Sequence, residues 1–397
     1  MSAPELVIVA NARIPSQRAQ SLQVVQVAGA FQRQGARTTL LHARRVPTPP
    51  LPPGQDVWDY YGVPAEGGER PAIEALPCVD WIDRVPARLQ YWPARVQELT
   101  FARTAAKRVL ARHADATVLS RELEAARTLV RRGHDRTYLE IHRVPGGDRR
   151  RAWLREAAAG CRGVVAISGG VREDLVALGV EPSKIVVEHD GYEAARFAHP
   201  PAREAARERL GVGADAQVVV YTGGLLPWKG VDVLVDLARG MPELTFLIVG
   251  GMDADVQRLR ARLRGAGNVR LEGFQPPARV VEYLAAADVG VAPNRSQPAI
   301  SARYTSPLKV FEAMAMGLPL VVSDLPSLRE ILGEDEAFFV PADDGSALRL
   351  ALIKLFKSPE LRARLGAALH RRAPEHTWDA RAVRLLEWMG LRPGPAA

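Results

Sequence analysis

The stretch Val218-Val-Val-Tyr221-Thr-Gly-Gly-Leu-Leu-Pro-Trp-Lys-Gly-Val-Asp232 decides the fold. A short apolar run enters a turn with two glycines, and a lysine follows where a helical segment opens. That is a parallel strand running into a crossover helix. The same unit recurs downstream at Phe246-Leu-Ile-Val249, Val269-Arg-Leu271, Val289-Gly-Val-Ala292, Leu320-Val-Val322 and Phe338-Phe-Val340, each followed by a helical stretch. Strands of this kind read as unbroken Val/Ile/Leu because both faces of a parallel sheet are covered.

Upstream, Leu6-Val-Ile-Val9, Ala116-Thr-Val-Leu119, Tyr138-Leu-Glu-Ile141, Val164-Val-Ala-Ile167 and Ile185-Val-Val187 make a first series, with a helix from Ser21 to Gln34 stopping at Gly35. Between the series, from Asp190-Gly191 to about Pro201, the chain is irregular and reads as a linker. The predicted class is α/β, two Rossmann-like domains facing each other across a crevice. Residues 1–190 form the first domain and 191–377 the second. A closing helical segment, 378–397, has Trp378, Val383, Leu386 and Trp388 as packing residues and can return to either domain, the first included.

The chain has 397 residues, 47% hydrophobic and 25% charged, which suits a folded protein of two or three domains. No stretch reaches the roughly 18 apolar residues of a membrane span, and Glu5 before the first apolar run argues against a secretory leader. A cytoplasmic protein is expected. Cys78 and Cys161, far apart, fit neither a disulfide framework nor a cysteine metal site. The net charge of +8 favours anionic partners, but no zinc spacing, basic-zipper pattern or RNA-reading aromatic cluster is present, so nucleic acid is not expected.

Two segments break the alternation. Residues 47 to 72 are rich in proline, with Trp58, Tyr60 and Tyr61, and read as a mobile insertion or an aromatic flap. From Arg84 to Arg112 seven Arg or Lys meet a single acid, Glu98, with Trp92, Phe101 and Val109 interleaved. A solvated helix face explains this, and docking on an anionic membrane surface is the alternative.

In open α/β sheets, ligands bind beyond the carboxyl ends of the strands. There, Gly223 and Gly224 allow the backbone to approach a phosphate, and Lys229 supplies a full positive charge. In Ser301-Ala-Arg-Tyr-Thr-Ser-Pro-Leu-Lys-Val-Phe-Glu312, Ser306 suits an N-cap and Pro307 a first helical position, so Thr305 and Ser306 mark a helix start fit for an anion. Lys309 and Glu312, three apart, share a helix face, as a ligand pair or a surface ion pair. Glu312 can accept hydrogen bonds from two neighbouring hydroxyls of a ribose. In the first domain Glu140 and His142 alternate at a strand end, where the histidine suits a sugar hydroxyl or a leaving oxygen and Glu140 can orient it. Arg13 and Arg18 follow the first strand, where their charge can face a ligand. Asp253-Ala-Asp255 reads as a helix start rather than a metal motif.

Together these segments resemble the second domain of GT-B fold, nucleotide-sugar-dependent glycosyltransferases of family 4 (group 1). The resemblance rests on Tyr221 to Asp232, Val269-Arg-Leu-Glu-Gly-Phe274, Tyr283-Leu-Ala-Ala-Ala-Asp-Val-Gly-Val-Ala-Pro293 and Ser306-Pro-Leu-Lys-Val-Phe-Glu-Ala-Met-Ala-Met-Gly-Leu-Pro-Leu-Val-Val-Ser-Asp324. It implies that Lys229 holds the donor diphosphate and Glu312 the ribose, with the amides from Thr305 to Leu308 on the phosphates. Phe274 would mark the loop at the base, and His142 would face the transferred sugar. It also implies donor-domain and acceptor-domain roles for the second and first domains, transfer with retention, no metal and no cofactor. The acceptor would be a saccharide or a lipid-linked precursor, with peripheral contact at the inner membrane face in the second case.

Two positions depart from the resembled pattern: Gly224 stands where an arginine is usual, and Tyr304 where the first of two glutamates is usual. Two other readings therefore accompany the transferase: a non-catalytic nucleotide-sugar or glycan-binding homologue, and a nucleotide-sugar 2-epimerase.

Overall fold

A computed structural model describes residues 3–65, 69–263 and 265–392. The chain divides into two compact units. One combines the residues up to His189 with those from Trp378 onward, and the other is Asp190–Thr377.

The first unit is built on a seven-stranded parallel sheet: β1 (Glu5–Ala10), β2 (Arg37–Ala43), β3 (Ala72–Leu76), β4 (Thr117–Ser120), β5 (Thr137–Ile141), β6 (Gly163–Ala166) and β7 (Ile185–Val187), in the order β3-β2-β1-β4-β5-β6-β7. The second unit holds six parallel strands: β8 (Gln217–Thr222), β9 (Leu244–Val249), β10 (Val269–Gly273), β11 (Val289–Ala292), β12 (Leu320–Asp324) and β13 (Ala337–Pro341), in the order β10-β9-β8-β11-β12-β13. Both sheets wind outward in two directions from their first strand, so each has a switch point, between β1 and β4 and between β8 and β11. Both sheets are the α/β, Rossmann-like class that the alternation predicts.

Two strands escape the sequence pattern. β2, Arg37-Thr-Thr-Leu-Leu-His-Ala43, begins with polar residues although Thr38 and Leu40–Ala43 are buried. β3 starts inside the proline-rich segment and has one fully buried residue, Leu76, as befits an edge strand. The aromatics of that segment are not a flap. A five-residue helix, Val57–Tyr61, is held by a capping box between Asp56 and Asp59. Tyr61 is 2% exposed, donates its hydroxyl to the Ser16 carbonyl at 2.8 Å and accepts the Ser16 N–H at 2.7 Å. Gln26 Nε2 ties the Tyr61 carbonyl at 2.7 Å. Residues 66–68 of the segment, and 393–397 of the closing one, lie outside the described residues.

The closing helix spans Trp378–Trp388 and packs on the helix Ala19–Arg33 of the first unit. Trp388 meets Tyr138 edge-on at 5.2 Å, and a Cβ at Gly163 would stand 2.3 Å from the Trp388 ring, so only glycine fits beneath it. Arg33 pairs with Asp379 at 2.9 Å, and Arg384 holds Glu188 through Nη2 at 2.9 Å. The deepest tie joins Arg381, 2% exposed, to Glu140, 3% exposed, at 2.8 Å. Burial alone would raise the Glu140 carboxyl, but the Arg381 and Arg121 charges and His142 outweigh it and hold the group well below its usual range. A carboxyl so depressed contributes stability that is complete above the unfolded pKa, near 4.5, and is lost as the pH falls towards the folded one.

Arg381→Ala leaves Glu140 buried with one guanidinium fewer and should cost about 3 kcal/mol, the lower end for a broken buried pair because Arg121 remains. Urea unfolding followed by circular dichroism measures it. An unchanged midpoint would show that the closing helix does not rely on this pair.

Candidate functional site

At the switch point of the second sheet, β8 ends in the glycine turn and β11 in Pro293-Asn294, so the loops of two adjacent strands diverge and leave room above them. Backbone packing shapes this place. A Cβ on Gly250, at φ 115°, would stand 2.3 Å from the Gly223 carbonyl oxygen, so the loops after β8 and β9 touch main chain to main chain. At Gly230, φ 70°, a Cβ would stand 1.8 Å from the Pro293 carbonyl oxygen, which closes the 3-10 turn Pro227–Lys229 onto the loop after β11. The Trp228 carbonyl accepts from Arg295 N–H and Ser301 Oγ, both at 3.0 Å, fixing the turn from the other side.

Lys309, on the helix Leu308–Ala315, is 7% exposed. Its Nζ lies 3.6 Å from the centre of the Tyr221 ring and has no hydrogen-bond partner among the described residues. A Cβ on Gly223 would come within 3.7 Å of that nitrogen, so the first glycine of the turn lies directly beside the amine. Desolvation, and next the charge of Lys229, push the Lys309 amine well below its usual value. Lys229, with Nζ 4.3 Å from the Trp228 ring centre, is pushed down to about 8 by desolvation. One turn beyond Lys309, burial pushes Glu312 up to about 7, while the charges of Arg196 and Lys309 pull it back. Lys309 and Glu312 are therefore no surface ion pair. They belong to a desolvated set with Lys229 and Arg196.

The start of the helix differs in detail from its expected form. Ser306 does not cap it. Pro307 takes the N-cap position, which has no side-chain acceptor, and Ser306 Oγ accepts the Asp190 N–H at 2.7 Å. Thr305 Oγ1 donates to the Ile300 carbonyl. Both hydroxyls are thus spent on the backbone, and Leu308 opens the helix. Tyr304 lies under the Arg303 guanidinium, 5.6 Å from ring centre to Cζ. Gly224 is exposed and its carbonyl accepts from Tyr221 Oη at 2.6 Å. Phe274 is half-buried just past β10. Asp253 and Asp255 stand in the first turn of the helix Asp253–Arg260, and Asp255 accepts from Arg258 at 2.6 Å.

Two further polar residues of the second unit are not evident from motif spacing. Asn294 is fully buried, and neither its Oδ1 nor its Nδ2 has a partner among the described residues. Its place directly after β11 is the signal that could have found it. Arg196, in the segment read as linker, acts on Glu312 through its charge.

In the first unit Glu140 is buried on β5, and His142 lies just past the strand, its side chain 31% exposed. Its Nε2 stands 2.7 Å from Glu140 Oε1 and 2.7 Å from Arg121 Nη2. Arg121, at the end of β4 beside the switch point, is the residue the strand pattern could have flagged. Arg13 is paired with Asp83, and Arg18 is exposed at the start of the helix Ala19–Arg33.

The chain is similar to known proteins. The chain is 30% identical over 249 residues to the D-inositol 3-phosphate glycosyltransferase of Kineococcus radiotolerans, 56% of each chain, and 31% identical over 226 residues to that of Streptomyces scabiei, 52% of this chain and 48% of the relative. Each match thus spans about half the length of the curated relative. In fold, Anabaena HepE in complex with UDP superposes with a TM-score of 0.73 at 15% identity, covering 98% of this chain and 99% of that one. Sucrose-phosphate synthase from Thermosynechococcus elongatus gives 0.75 at 18%, covering 97% and 98%. These likenesses extend over both units and show the GT-B fold. Residues 216–358 match the family model of Glycosyl transferases group 1, and that stretch holds the glycine turn, both lysines and Glu312.

Proposed function

We propose that the protein is a glycosyltransferase that passes a sugar from a nucleoside-diphosphate donor to an acceptor hydroxyl. One observation carries this reading: the buried amine of Lys309, without any hydrogen-bond partner among the described residues, lies against a glycine turn in a stretch that matches the group 1 family model. A desolvated lysine with no hydrogen-bond partner is poorly satisfied until an anion arrives. Lys309 and Lys229 would take the diphosphate together with the amides opening the helix at Leu308, and Glu312 the ribose hydroxyls. Phe274 would border the base, and Gly223, Gly224, Tyr304, Thr305 and Ser306 the rest of the donor. A solved structure of HepE, similar in fold, contains UDP, which supports a nucleoside diphosphate as the anion.

In the proposed step the bond between the anomeric carbon and the β-phosphate oxygen breaks and its electron pair leaves on the phosphate. The acceptor oxygen bonds to the anomeric carbon, and its proton passes to the departing phosphate. The two ammonium groups offset the charge that grows on the leaving group, so the reading includes no metal. Retention of configuration belongs to it as well, and proton NMR of the fresh product decides that. On the first unit, Glu140 orients His142 towards the sugar, with Arg13 and Arg18 on the acceptor side. The acceptor is a saccharide or a lipid-linked precursor.

Calorimetric titration with UDP and GDP tests the anion site. Lys309→Met should weaken binding at least tenfold, about 1.4 kcal/mol, consistent with hydrogen bonds to charged groups. The same change removes a buried charge and should leave the fold as stable or more so. Unchanged affinity would remove the diphosphate from this site.

Binding should also take up a proton. Desolvation holds Lys229 near 8 in the unliganded protein, and a bound diphosphate favours the charged form, so its pKa rises on binding. Affinity is therefore full below about 8 and falls as the pH rises through that value. Titrations near pH 8 in buffers of different ionisation enthalpy read the uptake directly, and Lys229→Ala should reduce it. No uptake in the native protein would contradict the assignment.

For His142, His142→Ala should lower turnover with a nucleotide-sugar panel by roughly a hundredfold, the lower end for removing one hydrogen-bond donor from the transition state, with UDP affinity unchanged. Equal loss of both would place His142 with the nucleotide. Binding with no turnover by the native protein would favour the non-catalytic reading, and isomerised sugar the epimerase.

A further inference from the structure

Six of the ten large apolar side chains exposed among the described residues lie on one part of the first unit: Val46, Val79, Trp81, Leu89, Tyr91 and Trp92. Their segments are joined. Asp80, between Val79 and Trp81, accepts the Val46 N–H at 2.9 Å and Arg45 Nε at 2.7 Å, and Val79 N–H donates to Thr100 Oγ1 at 3.0 Å on the helix Tyr91–Arg112. That helix starts with Tyr91 and Trp92, 66% and 73% exposed, their rings edge to face at 5.4 Å. Two short 3-10 turns, Ile82–Arg84 and Ala87–Leu89, connect Trp81 to them.

The charges sort themselves in the same segment. Its two acids are neutralised from outside, Asp80 by Arg45 and Asp83 by Arg13. Arg84 and Arg88 stand exposed, with no acidic partner among the described residues. Residues 79–92 therefore present tryptophan, tyrosine, leucine, valine and unpaired arginine to solvent, and their one exposed acid, Asp83, is paired with Arg13. A scattered apolar residue needs no partner, but a contiguous group with cationic edges marks a binding surface. Tryptophan and tyrosine favour the interface between water and hydrocarbon, where an apolar ring and a polar tip are both satisfied, and arginine pairs with lipid phosphate.

We propose that this face docks on an anionic bilayer surface, with the Trp81, Tyr91 and Trp92 rings at headgroup level and Arg84 and Arg88 on lipid phosphates. The inference stands apart from the glycosyl-transfer reading, because neither the patch nor its test involves the donor site. Attraction to an anionic leaflet is worth roughly fivefold for each arginine near the surface and is screened by salt.

Flotation of the full chain with vesicles tests it, using phosphatidylcholine alone or mixed with phosphatidylglycerol. The protein should float with the mixed vesicles at low ionic strength and dissociate as salt is raised. Brominated lipid should quench tryptophan emission in the bound state, and less so in W92F. R84E/R88E should lower binding at least twentyfold and W81S/W92S at least tenfold, each with an unchanged circular dichroism melt. Failure to float with mixed vesicles, or equal binding by R84E/R88E, would overturn the proposal. So would a concentration-dependent dimer in sedimentation that W81S/W92S dissolves, since the patch would then be covered by a second copy.

Discussion

A lysine can be buried without a hydrogen-bonded acid only if something replaces water around it, and at Lys309 one aromatic face and the charge of Glu312 one turn away take that part. The Tyr221 ring, 3.6 Å away, offers its negative π-face, which compensates a desolvated cation only in part. The remainder is left unsatisfied, and the surroundings are arranged around that deficit. Tyr221 is fixed on β8, inside a sheet covered on both faces. Gly223, at φ 126°, takes a backbone conformation beside the nitrogen that favours glycine, and Gly250 and Gly230 let neighbouring loops close to backbone distance. A site of this kind is preorganised, because its cost is met in folding and recovered on binding.

The first unit buries charge as well and resolves it in the opposite way. Glu140 is as deep as Lys309, but Arg381 and Arg121 neutralise it and His142 completes its coordination. One of those partners arrives on the final helix, so the fold of this unit requires chain that is more than two hundred residues away in sequence. The contrast separates two roles that buried charge can play. A neutralised carboxylate stiffens its surroundings and holds His142 in place, whereas an amine without a hydrogen-bond partner stays unsatisfied.

How much of this the sequence shows follows from what each feature depends on. Buried parallel strands are continuous apolar runs, so eleven strands can be read directly, while β2 and β3 fail because an edge position and a polar beginning weaken the run. The glycine turn, Lys229, Lys309 and Glu312 are legible as candidates because phosphate chemistry calls for those residue types near strand ends. Asn294, Arg121 and Arg196 are not, since a lone polar residue gains meaning only when tertiary structure brings it to a switch point or against a charged neighbour. Trp58 and Tyr61 show the converse: aromatics in a proline-rich stretch resemble a flap until their contacts with Ser16 and Gln26 are seen.

The residue that departs most visibly from the resembled pattern fits the same logic. At Gly224, where an arginine is usual, the chain is exposed and its carbonyl is held by the Tyr221 hydroxyl at 2.6 Å. The ring bearing that hydroxyl is the one beneath Lys309. Tyr221 thus braces the turn with its polar tip and carries the amine on its face, and the cation on this side of the turn comes from a helix rather than from the turn itself. A helix-borne lysine, packed to 7% exposure, loses less freedom on meeting an anion than an arginine at the tip of an exposed turn would. The missing side chain at position 224 therefore shifts the source of positive charge from a mobile element to a rigid one.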